Sequence, residues 1–142
     1  MEKNIKVTKT EKTILDSCKA AKASGIKIQD GGWYIKWDSN QSKWTSEGSC
    51  CPLAAVILAN QPTPSPEQIG EMENDEHQAL CDIAAAILKK DHDWASDFTS
   101  NFDDEGEMGS NKSAIKAAAK LRSVFIKPEV DVAEEEYDDG DM

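Results

Sequence analysis

Leu53-Ala-Ala-Val-Ile-Leu-Ala59 is the longest wholly apolar stretch of the chain, seven residues with no polar face. Such a segment has no side to offer to water, so the rest of the chain has to enclose it. Cys51-Pro52 stands immediately before it, and proline suits the first position of a helix, where its missing N–H would have no acceptor anyway. The stretch therefore predicts a short buried helix, ended by Asn60-Gln-Pro-Thr-Pro64. Seven residues fall far short of the roughly twenty that cross a bilayer. The opening residues Met1-Glu-Lys-Asn-Ile-Lys6 contain no apolar segment like that of a signal peptide. A soluble, cytoplasmic protein with no membrane partner is the expectation.

The segments around that helix can be read from their punctuation. Thr8-Lys-Thr-Glu11 has the form of a capping box, Ile14, Leu15, Cys18 and Ala21 follow on one helical face, and Gly25 supplies a stop, which predicts a helix over about 9–24. Ile26-Lys-Ile-Gln29 and Trp33-Tyr-Ile-Lys-Trp37 flank Asp30-Gly-Gly32 and read as a β-hairpin with Trp33, Ile35 and Trp37 on one face. After the turn Asp38–Ser42, Lys43-Trp44-Thr45 adds a third strand to make a meander. Ser65-Pro-Glu-Gln68 is a second capping box with proline just inside it. Leu80, Ile83, Ala84, Ile87 and Leu88 trace one face of the clearest helix, and Trp94, Phe98 and Phe102 trace another. Asn111 or Ser110 caps a last helix through Ile115, Ala118, Leu121 and Phe125, which Pro128 helps to stop.

These elements suit a chain of 142 residues, which is long enough for one hydrophobic core and too short for two ordinary ones. The predicted fold class is α+β: a two- or three-stranded antiparallel meander packed on about five short helices, in a single globular domain over 1–127. Residues 128–142 carry eight acids, no base and little to bury, so they predict a disordered acidic tail.

Charge is distributed unevenly. Residues 66–109 hold thirteen acids against Lys89 and Lys90, whereas 110–127 hold five bases and no acid, and the whole chain carries a formal charge of -11. Bulk attraction to nucleic acid is disfavoured. The expected function is a non-enzymatic interaction or regulatory protein that binds a basic surface of a partner protein, as inhibitors, immunity proteins and nucleic-acid mimics do. The expected partner-binding residues are Asp91, Asp93, Asp97, Asp103, Asp104, Glu105 and Glu107, within an acidic face spanning mainly 67–107. Nothing in the residues fixes the oligomeric state.

Other chemistry has fewer ingredients. Cys50 and Cys51 would sit at a helix N-terminus, where the dipole can stabilise a thiolate, and this supplies the alternative of a thiol-dependent enzyme. Its base would have to be His77 or His92, the only histidines, and neither falls on a strand beside the thiols. Cys18 and Cys81 lie on apolar helical faces and read as small core residues. Asn101-x-Asp103-x-Glu105-Gly106 imitates the first half of an EF-hand loop, but the closing twelfth position is Lys112, so a metal-binding module remains a further alternative without a complete ligand set. No metal and no cofactor is expected. Trp33, Tyr34, Trp37 and Trp44, interleaved with Lys27, Lys36 and Lys43, contain the ingredients of a stacking platform for single strands, and packing is the plainer use of them.

Cys50-Cys-Pro-Leu-Ala-Ala-Val-Ile-Leu58 and Trp94-Ala-Ser-Asp-Phe98-Thr-Ser-Asn-Phe102-Asp103 together resemble a pattern in small uncharacterised proteins of bacteria and their phages, in which a Cys-rich helix entry is followed by a W-x3-F-x3-F-D helix. The resemblance covers under twenty residues, and the glycines of that pattern are largely absent here. It implies a bacterial or phage origin and assigns no residue a role.

Overall fold

The computed structural model describes residues 3–29, 33–103, 111–126 and 130–137; for 3–6, 103 and 130–137 it describes the backbone alone. The fold is mixed α and β, with six helices and three two-stranded sheets among the described residues. The strand β1 (Lys3–Thr8) leads directly into α1 (Lys9–Ala23). Thr8 caps that helix as the sequence predicts: its Oγ1 accepts from the Glu11 N–H at 3.1 Å, and Glu11 Oε1 accepts from the Thr8 N–H at 2.9 Å. The helix ends at Gly25, whose φ of +89° suits a residue without Cβ. The Ile26 N–H donates to Ala21 O and the Gly25 N–H to Lys22 O, the two bonds of a Schellman stop.

The apolar stretch becomes α2 (Pro52–Asn60), with Pro52, Leu53, Ala54, Ala55, Val56 and Ile57 all buried. It packs between α1 and α4 (Glu76–Leu88), so the segment with no polar face is enclosed by helices. Each of Leu53, Val56 and Ile57 stabilises the fold by about 1.5–3 kcal/mol through removal of its side chain from water. The helix leaves the core at its end, where Ala59 and Asn60 are exposed.

The remaining helices differ in what they bury. The helix α3 (Pro66–Asn74) carries the predicted Ser65/Gln68 capping box and buries none of its residues. In α4, Leu80, Ile83, Ala84 and Leu88 are buried, and in α5 (His92–Asp103) the stripe Trp94, Phe98, Phe102 is buried and stacked, with ring centroids 5.6 and 6.2 Å apart. These aromatics pack where α5 meets α6 (Lys112–Phe125), which Asn111 caps by accepting from the Ala114 N–H at 3.2 Å. One hydrophobic cluster runs from Ile14 in α1 to Leu121 in α6. Pro128 and Ser110 lie outside the described residues.

The strands depart from the expected meander. The hairpin is β3 (Ile35–Asp38) against β4 (Lys43–Ser46), antiparallel, with Trp37 opposite Trp44 and their rings 5.6 Å apart. Asp38 makes its turn by accepting from the Asn40 and Gln41 N–H groups at 3.0 and 3.2 Å. The segment expected to be the first arm of a hairpin, Ile26–Gln29, instead supplies β2 (Lys27–Ile28), which pairs in parallel with β5 (Ser49–Cys50). The intervening hairpin returns the chain so that β2 pairs with the strand that leaves it, and this sets Ile28 beside Cys50, both buried at the entry to α2.

The second departure is at the C-terminal end. Val130–Tyr137, expected to be part of a disordered tail, forms the strand β6 and runs parallel to β1, with a register shift between Lys6 and Val7. Composition had spoken only to side-chain burial, whereas a strand edge offers N–H and C=O groups to any sequence, acidic or not. Residues 128, 129 and 138–142 lie outside the described set.

Candidate functional site

The vicinal thiols are built into the start of α2. Cys51 is the capping residue, its Sγ accepting from the Ala54 N–H at 3.4 Å, and Cys50 ends β5. Both are buried, as are Cys18 and Cys81. The helix dipole does not win here: burial pushes the Cys50 thiol up to about 12, because a thiolate there would lose its water. Burial also raises the Cys18 thiol well above its usual value, and the neighbouring Cys50 and Cys51 add to that rise by like-charge repulsion. At Cys50 the arrangement packs the sulfur, and burial works against its ionisation.

The two histidines have partners elsewhere. His77, in the first turn of α4, accepts at Nδ1 from the Trp33 indole N–H at 3.2 Å, and its Nε2 lies 3.6 Å from Cys81 Sγ. An indole nitrogen only donates, so Nδ1 is the acceptor and the neutral ring carries its proton on Nε2, facing the sulfur. In that state the ring has no vacant site for the Cys81 proton. Burial in turn pushes the Cys81 thiol up to about 12, with Asp82 and Asp75 adding to the rise and a Thr99 hydrogen bond opposing it. The sequence reading placed Cys81 in the core and missed this contact, although its i, i+4 spacing from His77 on a helix was visible. His92, at the start of α5, places Nδ1 2.6 Å from Asp82 Oδ1 and so ties α5 to α4.

The acidic candidates divide by what they already hold. Asp91 accepts from the Trp94 N–H at 2.8 Å and caps α5, and Asp97 Oδ2 accepts from the Asn111 N–H at 3.0 Å across the connection to α6. Asp93 is exposed in the first turn of α5. The backbone of Asp103 ends α5, while its side chain and all of Asp104, Glu105 and Glu107 lie outside the described residues. The structure adds a second acidic group, on α3 and its junction with α4, that the sequence reading had left within the broad face without naming. There Glu67, Glu73, Asp75 and Glu76 are exposed and Glu71 is half-buried. None of these five, nor Asp93, forms an ion pair with a described residue. The basic helices find acids nearer home: Lys12 reaches Asp16 at 3.2 Å, and Lys120 of α6 reaches the buried Glu11 of α1 at 2.8 Å.

The EF-hand likeness ends at its first position. Asn101 lies within α5, is 4% exposed, and donates from Nδ2 to Asp97 O at 2.7 Å, so it belongs to a helix and not to a loop. Among the described residues, no group of three or more His, Cys, Asp or Glu converges as metal ligands would. The aromatic segment packs: Trp33 and Trp44 are buried, Trp44 Nε1 donates to Pro62 O at 2.7 Å, and Trp37 is half-buried. Of the large hydrophobic side chains described, Tyr34 and Ile69 are the exposed ones. No described helix is long and apolar enough to cross a membrane. No protein-family model, curated protein or solved structure matches this chain.

Proposed function

We propose that this chain is a non-enzymatic interaction protein whose acidic surface binds a basic surface of a partner protein, in the manner of an inhibitor, an immunity protein or a nucleic-acid mimic. The observation that supports the reading best is the group Glu67, Glu71 and Glu73 on α3, which buries none of its residues, with Asp75 and Glu76 at the junction with α4, none of them in an ion pair with a described residue. Carboxylates left without counter-charges project a field that speeds the approach of a basic partner and discriminates against acidic ones. Tyr34, at a φ of +56° and exposed, follows Trp33, whose indole reaches the first turn of α4, and offers an aromatic side chain to a partner. The burial of all four thiols weighs against the thiol-enzyme alternative.

Capture of a basic protein from bacterial lysate on the immobilised chain, at low and at high salt, tests the reading. Binding should weaken steeply with salt, and Glu67→Gln, Glu71→Gln, Glu73→Gln and Glu76→Gln together should abolish it. A second set, with Asp103, Asp104, Glu105 and Glu107 neutralised, asks whether the two acidic groups act as one face. Retention of the partner by both sets and at high salt would remove the proposal.

A further inference from the structure

The strands β1 and β6 form a parallel ribbon of two, and among the described residues no third strand joins either side. Parallel strands ordinarily lie inside larger sheets, and a ribbon of two is the least self-sufficient form of sheet. In a parallel pair, alternate residues of each strand turn N–H and C=O toward the neighbour, and the residues between turn theirs away. The far edge of β6 therefore carries a row of main-chain donors and acceptors that β1 does not use. The helices α1 and α6 lie against β6, but a helix spends its main-chain groups on itself and cannot continue a sheet.

We propose that the far edge of β6 takes an extended, basic segment of a partner protein as a third strand. This rests on the reading of the chain as a binder of basic proteins, and names the form in which the partner is held. The molecule carries its own precedent for the charge. Val130-Asp-Val-Ala-Glu-Glu-Glu-Tyr137 has four acids and no base, whereas the strand it already accepts, Lys3-Asn-Ile-Lys-Val-Thr8, has two bases and no acid.

The register indicates where the new pairing would run. Val130–Ala133 follow Lys3–Lys6 residue by residue, and the pairing then skips Glu134 and Glu135 before Glu136 meets Val7. The regular edge is thus four residues long, and acids follow it at an irregularity that interrupts the ladder. A segment with β-branched residues along 130–133 and lysine or arginine opposite 134–136 matches both parts. A second copy of this chain suits the edge less well. Two β6 strands side by side would bring acid runs together, and an irregular, charged edge works against such self-pairing. The basic β1 of a second copy is committed to its own β6.

The test uses the full chain and a synthetic peptide, Lys-Val-Lys-Ile-Lys-Val-Lys, alongside the same peptide N-methylated throughout. Methylation removes the N–H donors and keeps every charge, so it separates strand pairing from plain attraction. Fluorescence anisotropy gives the affinities, and amide hydrogen exchange of the chain gives the location. The unmodified peptide should slow exchange within 130–133, and the methylated one should bind at least about tenfold more weakly. Glu134→Gln with Glu136→Gln should weaken the unmodified peptide several-fold at low salt. Equal affinities of the two peptides, or no binding of either at low salt, would overturn the proposal. Protection confined to 67–76 would also overturn it while leaving the acidic surface of α3 as the binding site. Protection of 130–133 by self-association, in the absence of peptide, would assign the edge to a second copy and overturn it as well.

Discussion

The helices α2 and α3 begin alike and end up opposite. Each has nine residues, each has proline at its first position, and each follows a side chain that caps the third N–H, Cys51 Sγ for one and Ser65 Oγ for the other. Yet α2 buries six of its residues and α3 none. The start signal fixes where a helix begins and is silent about its destination; apolar content decides that. In α2 every side is hydrophobic until the last turn, so neighbours surround it. In α3 glutamates at 67, 71 and 73 occupy the turns, Ile69 is 37% exposed, and the helix rests on α4.

Substitution should separate the two helices sharply. Leu53→Ala or Ile57→Ala in α2 is expected to destabilise the protein by about 2–5 kcal/mol, measured by urea unfolding, since each leaves a cavity in the core. A comparably small effect of both would mean that α2 is less enclosed than its burial indicates. The thiols at its entry add a pH signature. Folding raises the Cys50 and Cys81 thiols from the ordinary 9.0 to about 12, so the folded state holds protons that the unfolded state releases in that interval. Their contribution to stability is complete below pH 9 and is lost as pH climbs towards 12, which a series of melting temperatures at alkaline pH would register. Iodoacetamide should label neither thiol at neutral pH until the protein unfolds.

Smaller effects are expected around α3. Ser65→Ala removes one half of a capping box on an exposed helix and should cost about 1 kcal/mol. Ile69→Ala, and Glu67→Gln with Glu73→Gln, should change stability by less than about 0.5 kcal/mol, because these side chains touch little. Against that near silence, the glutamate pair should weaken capture of a basic partner several-fold at low salt. A loss of stability as large as that of Leu53→Ala would make α3 a structural brace and not a presented surface.

The same contrast explains what could be read in advance. Local signals carried well: Thr8 and Glu11 box the start of α1, Ser65 and Gln68 that of α3, and the spacing of Trp94, Phe98 and Phe102 gave a buried stripe. Each is written within a few residues. What escaped involves partners far apart in sequence. A two-residue strand such as Lys27–Ile28 has no period to detect, and its pairing with Ser49–Cys50 depends on the intervening hairpin closing on itself. The Trp33–His77 bond spans 44 positions, with nothing in either neighbourhood to announce it. Of the candidate site, the acidic composition was legible. Which acids are already occupied was not: Asp75, Asp91 and Asp97 hold backbone N–H groups, and Glu67, Glu71 and Glu73 of α3 form no ion pair with a described residue.

The pairing of β1 with β6 has a temporal side. Residues 3–8 are made before their partner at 130–137, which follows all six described helices in sequence. During translation the first strand must wait with an open edge while α1, α2 and the helices after them collapse, so the final ribbon acts as a latch thrown last. A nascent chain cut short of residue 130 would leave that edge of β1 without its partner.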